Sequence, residues 1–436
     1  MAKLWEKGYS LNQTVEEFMT GDDPDLDLRI GKYDCLGSIA HARMLAAIKI
    51  ITAEECTQLT TCLHEIIDQL AHGQFLIAKT DEDIHTAIEN YLIAKLGNVG
   101  KKIHTGRSRN DQVLTALRLY MKEQIQLILA KLANTLEVLH TFAVKHQDIP
   151  YVGRTHYQKA MPSSLGLWMG AFMESLLDDG ELLVASYKLI DQSPLGSAAS
   201  YGVAIPIDRQ LTSDLLGFAK VQNNVLYANN SRGKFESIVI HSLSQIMLDL
   251  SKLATDVILF SAPEMAYLEL PVEFCPGSSL MPNKKNPDPF ELIRAKSATV
   301  MANLFQTLEV IRALPSGYNR DFQETKRPFF QACDTVSQTL SVVAIIMSQV
   351  KVNEHACLAG FTSEVFATDA ALKLVEQGMP FREAYGTIAT QLEHLAVSDP
   401  LANILAKTHL GATGNLGLDL ANQRIKQLNN FIQNTH

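Results

Sequence analysis

From Gln112 to His146 the chain runs 35 residues without Gly or Pro. Along this run Leu114, Leu117, Met121, Ile125, Ile128, Leu132, Leu136 and Leu139 recur at steps of three and four, the period of one helix face. At about 1.5 Å per residue such a helix extends roughly 50 Å. An apolar stripe of that length needs long partners to cover it, and 165–190, 234–261, 291–314 and, beyond Pro328, 329–350 carry the same pattern. Gly166 and Gly170, four apart on the first of these, predict close approach of a neighbouring backbone. The expectation is a bundle of elongated helices, because each stripe must be buried against another.

Shorter helical patterns flank the bundle. Before it lie 34–50, 52–72 and 81–96, and Thr52 opens a T-A-E-E run with the form of a capping box. After it lie 362–376 and 381–396, divided by Gly378 and Pro380. Alternating strand patterns are scarce. The chain therefore reads as all-α in three helical domains: 1–107, a central long-helix bundle over 108–356, and a small C-terminal domain over 357–436.

Three polar segments interrupt the stripes, and each has a functional and a bland reading. HTGRSRNDQ, at 104–112, precedes the longest helix, where free N–H groups and the helix dipole favour a carboxylate and Arg107, Arg109 and Asn110 add donors; it also reads as a solvated cap. GRTHYQKAMP, at 153–162, puts His156 ahead of another long helix, as a functional group or as a satisfied core histidine. GSSLMPNKKNPD, at 277–288, cannot be a regular helix or strand, because proline removes donors while glycine frees the chain beside two serines and two lysines. Its bland reading is an exposed turn; its functional one is a shaped loop for an anionic substrate.

Composition narrows the classes. With 436 residues and 47% hydrophobic side chains there is material for a large core in two or three domains. A formal net charge of −9 argues against nucleic-acid binding, which needs a basic surface. Local basic islands (Arg107, Arg109, Arg154, Lys284, Lys285, Arg320, Lys326) instead suit a small anion. No run reaches about 18 uncharged apolar residues, so no membrane partner is expected. The N-terminal MAKLWEKGYS has no apolar signal core, and six scattered cysteines without CxxC spacing argue for reduced thiols and against structural zinc. The expected compartment is the cytoplasm.

The loop fits the form G-S-S-x-M-P-x-K-x-N-P and resembles the signature of the fumarase/aspartase superfamily. HTGRSRNDQV, T-H-x-Q-x-A-x-P from Thr155 to Pro162, DEDIHT from Asp81 to Thr86 and ATDAALKLVEQGMPFREAY from Ala367 to Tyr385 are similar to the argininosuccinate lyase family within it. Fumarases and aspartases typically have M-P-G-K-V-N in the loop, whereas this chain has Met281-Pro282-Asn283-Lys284-Lys285-Asn286. The segment Ser231-Arg232-Gly233-Lys234 departs from the family's usual S-x-R-D, and Arg320 stands where Lys is common.

The resemblance implies β-elimination of argininosuccinate to arginine and fumarate, in arginine biosynthesis. It implies Ser278 as proton acceptor, Lys284 and Asn286 as stabilisers of the aci-carboxylate, and His156 paired with Glu291. It implies substrate contacts at Ser38, Asn110, Thr155, Tyr318, Gln323 and Lys326, with Arg109, Asp83 and His85 in matching motifs. It implies no cofactor and no metal, and a homotetramer whose active sites are shared between subunits. The rivals are another superfamily activity, such as that of an adenylosuccinate lyase or aspartase, and a non-catalytic role of the kind this fold has in lens crystallin.

Overall fold

A computed structural model describes residues 12–78 and 81–435. The expectation drawn from the N-terminal ten residues lies outside them. The five long helices are present as Arg109–Lys145, Leu165–Ile190, Lys234–Ser261, Asp288–Ile311 and Lys326–Met347. All eight stripe residues of the first are buried, none more than 3% exposed. Removing each such side chain from water favours the fold by about 1.5–3 kcal/mol. The stripe is therefore what fixes this helix in the core.

Two starts differ from expectation. The last long helix begins at Lys326 rather than after Pro328, because the N–H groups of a first turn have no intrahelical acceptor and proline loses nothing there. Asp288–Ile311 likewise carries Pro289 in its first turn. Gly166 behaves as expected: a Cβ there would lie 2.6 Å from Gln147 Cα. Gly170 does not, since its nearest neighbour, a Leu418 methyl, would stand at an ordinary 3.9 Å.

Among the shorter elements, Ala53–Ala71 starts with the full capping box, Thr52 and Glu55 each accepting from the other's backbone N–H. The 81–96 pattern becomes Ile84–Leu96, with Asp83 outside it as N-cap and accepting from Thr86 N at 2.8 Å. Two antiparallel ribbons interrupt the helices, β1 (Pro150–Thr155) with β2 (Gln158–Ser164), and β3 (Leu268–Glu269) with β4 (Lys351–Val352).

By packing, the chain forms two compact units. One comprises Met1–Gln126, Leu183–His241 and Ala302–Cys333; the other comprises Leu127–Leu182, Ser242–Met301 and Asp334–His436. The three-domain division along the chain is a proposal about chain order, not packing. Two stretches, Arg109–Lys145 and Arg320–Met347, are long and apolar enough by length and composition to cross a membrane, and each buries at least half of its apolar window.

Candidate active site

In the second unit, β1 and β2 meet in a two-residue turn made by His156 and Tyr157, with φ of +54° and +61°. Positive φ at both central positions is the hairpin turn that matches strand twist, usually given to Asn and Gly. Histidine tolerates the left-handed region better than most residues, yet the conformation is costly. Arg154 Nη1 donates to Tyr157 O at 3.0 Å and steadies the tip. The turn holds His156 out in solvent, so it is not a satisfied core histidine.

The serine loop lies in the same unit, between a short 3-10 turn and the Asp288–Ile311 helix. Its stem is closed by a bridge between Gly277 and Lys285 and by Asn286 N donating to Pro276 O at 3.1 Å. Within it, Ser278 Oγ accepts from Met281 N at 3.0 Å and from Leu280 N at 3.3 Å. Two N–H groups aimed at one hydroxyl oxygen favour negative charge there, as in an oxyanion hole. Ser278 and Asn286 are half-buried, while Ser279, Lys284 and Glu291 are exposed. Among the described residues of one chain, His156 and Glu291 form no ion pair with each other; the pairing implied by the resemblance is not made within a single chain.

The first unit carries a cleft lined by Asp83, His85, Arg109, Asn110, Tyr318, Gln323 and Lys326, seven of the expected residues. Asp23, Asp27, Glu82, Arg232 and Arg320 line it as well. Most of these charges are already matched. Lys326 Nζ lies 2.5 Å from Asp23 and 2.7 Å from Asp27, Arg109 lies 3.1 Å from both Glu82 and Asp83, and Arg320 meets Glu82 at 2.8 Å. Burial raises the Asp23 carboxyl to about 6 against the pull of Lys326. Gln323 Nε2 donates to Met19 O at 3.1 Å, tying the end of the Gln13–Thr20 helix to this wall.

Two expected contacts stand elsewhere. Thr155, the last residue of β1, belongs to the other unit. Ser38 is buried outside the cleft lining, accepting from Arg107 Nη1 at 2.9 Å and donating to Asp34. Asp34 also takes the Nδ1 side of His85, whose Nε2 is buried without a partner. Burial alone would lower the His85 pKa, but Asp34, with Asp83 and Asp27, outweighs it and the ring titrates above its ordinary value. His104, half-buried beside Arg107 and Arg109, is pushed the opposite way, to about 4, by desolvation first and then by those charges.

Asp111, in the first turn of the longest helix, accepts from the N–H groups of Ser108, Gly196 and Ala198 and ties the helix start to the 196–198 segment. The departure at Gly233 has a steric reason. Its φ is +79° and a Cβ would come 2.2 Å from an Ile311 methyl.

A family model described as Lyase matches residues 17–302. An argininosuccinate lyase of Thermotoga neapolitana is 46% identical over 387 residues, covering 89% of this chain and 97% of that protein. The chain belongs to the argininosuccinate lyase family. A second argininosuccinate lyase, of Parabacteroides distasonis, is 42% identical over 414 residues, 95% of this chain and 92% of its own. As a member of this family, the protein is a carbon–nitrogen lyase. Solved structures share its fold. An EDDS lyase in complex with formate superposes with a TM-score of 0.83 at 23% identity, covering 98% of this chain and 93% of that one. A class II fumarase of Schistosoma mansoni gives 0.74 at 17%, covering 93% and 97%. The all-α expectation therefore holds. Sequence reasoning missed Asp23, Asp27, Glu82 and Arg232 as cleft residues. Glu82 was within reach, as the neighbour of Asp83 in the DEDIHT run.

Proposed function

We propose that the protein cleaves argininosuccinate to arginine and fumarate, as a step of arginine biosynthesis in the cytoplasm. Ser278, as alkoxide, takes the proton from the carbon next to a carboxylate. The C–H electron pair passes into that carboxylate, whose second negative charge Lys284 and Asn286 hold. Collapse of the aci-carboxylate forms the fumarate double bond and expels the guanidino nitrogen, which gains a proton. His156, with its tautomer fixed by Glu291, acts on the leaving nitrogen directly or through water. The observation that carries this reading is the pair of backbone N–H groups on Ser278 Oγ, since a serine is a usable base only where its alkoxide is stabilised.

The remaining contacts are Asn110, Thr155, Tyr318, Gln323 and Lys326, with Arg109, Asp83 and His85 positioning them; Ser38, buried between Arg107 and Asp34, supports the wall of the cleft instead of touching substrate. Neighbouring subunits of a homotetramer bring serine loops and His156 hairpins to clefts on other chains, so that the shared site exists only in the assembly. Incubation of the purified protein with argininosuccinate, followed by fumarate absorbance, tests the reaction; sedimentation tests the tetramer. A folded tetramer that releases no fumarate rejects the proposal.

A further inference from the structure

Arg232 is the one cleft-lining Lys or Arg that has no ion pair among the described residues. Only 4% of it is exposed, and its Nε has no hydrogen-bond partner. Its guanidinium faces the ring of Tyr318, 5.8 Å from the centroid, on the cleft wall. The acids that feel its charge are committed elsewhere. Asp23 is held by Lys326 at 2.5 Å, and Glu236 Oε2 accepts from Gly233 N at 2.7 Å. A buried guanidinium whose neighbouring acids are held by other groups is costly, so this one calls for an anion from outside the chain.

The cleft says which kind of anion. Its four acids, Asp23, Asp27, Glu82 and Asp83, equal in number the cations Arg109, Arg232, Arg320 and Lys326, so the lining is neutral, yet the acids form their ion pairs with Arg109, Arg320 and Lys326 alone. A pocket built for a dicarboxylate would carry uncompensated positive charge throughout, whereas balanced charge with one free guanidinium suits a zwitterionic amino-acid head. Resting on the reaction proposed above, we infer that Arg232 binds the α-carboxylate of the arginine portion of the substrate, with the Tyr318 ring within cation–π range of the guanidinium. Gly233 supports this placement: its left-handed backbone turns the chain directly after Arg232, and no side chain fits in its place.

Arg232→Gln in the full-length enzyme tests the inference, with L-arginine, agmatine (arginine without its carboxylate) and fumarate as inhibitors of argininosuccinate cleavage. The expected result is a KM raised about tenfold or more with kcat within about threefold, the signature of lost uniform binding. Arginine inhibition weakens in parallel while agmatine and fumarate inhibition stay unchanged, and Arg232→Lys falls between. Unchanged discrimination between arginine and agmatine overturns the inference. So does equal weakening of all three inhibitors, which marks a structural role, or weakening of fumarate alone, which puts Arg232 at the succinyl end. If the wild type itself makes no fumarate, the proposed reaction falls and takes this assignment with it. Wild-type turnover with an indifferent Arg232→Gln removes the assignment alone.

Discussion

The serine loop and the charged cleft handle polar groups in opposite ways. Around Ser278 the groups assigned to proton transfer are exposed or half-buried, and the loop is held by a few backbone contacts at its stem. In the cleft, Lys326, Asp27, Glu82 and Asp83 are buried and interlocked by ion pairs between 2.5 and 3.1 Å. Burying charge is costly unless it is paired, so recognition groups are preassembled with their counter-ions. On the proposed mechanism an alkoxide is needed only when substrate is present and water is excluded, which suits a segment held by few fixed contacts. On that mechanism the two regions divide binding from chemistry.

Removing the base breaks that division most sharply. Ser278→Ala should lower kcat by about 10³–10⁴-fold, the scale of a lost general base, with KM little changed, because the cleft is untouched. Ser279→Ala, which alters an exposed hydroxyl without the two N–H contacts, should leave kcat near wild type. Steady-state fumarate release on both variants decides it; the reverse ranking would move the base to Ser279.

Lys326→Met attacks the other region. It leaves Asp23 and Asp27 buried without their cation, and loss of one partner of a buried pair costs about 3–5 kcal/mol of folding stability. Urea denaturation should show that loss, and adding Asp23→Asn and Asp27→Asn should restore stability without restoring substrate affinity. Recovery of both would mean that Lys326 serves the fold alone. A smaller effect belongs to Lys284→Ala, where loss of a donor to the aci-carboxylate should lower kcat by about 10²–10³-fold and also raise KM. Because Lys284 is exposed in the single chain, melting temperature should stay unchanged.

How much of this was legible in the sequence depended on the length of the signal. The 35-residue stripe fixed its helix to within a turn, since eight apolar positions in phase leave one solution. The His156 hairpin was not legible. β1 and β2 have no clean alternation, and the turn uses His-Tyr where an Asn-Gly pair would have announced it. The Leu418–Asn434 helix buries Ala421, Ile425, Leu428 and Ile432 at steps of four, three and four, but asparagines and glutamines dilute its stripe. Motif residues of the site could be listed from the sequence. Their partners could not, because Asp23 and Asp27 meet Lys326 across some 300 positions of chain and nothing local marks them.

A buried acid in the serine-loop unit gives the most sensitive contrast with the cleft. Asp179 is 7% exposed, one of its carboxyl oxygens has no partner, and the groups beside it are Asp249 and Asp178 rather than a cation. Burial first, then the charge and hydrogen bond of Asp249, push its carboxyl up to about 8. A carboxyl that binds its proton more tightly folded than unfolded stabilises the fold while protonated. That contribution is complete below the ordinary value of 3.8 and is lost as pH rises through about 8. Asp179→Asn keeps a donor for Asp249 and cannot ionise. Its Tm should match wild type near pH 4 and exceed it at pH 8, by on the order of 1–2 °C. A Tm difference of the same size at both ends of the range would show that Asp179 is ionised throughout. The acids of both regions would then obey one rule, each finding its counter-charge.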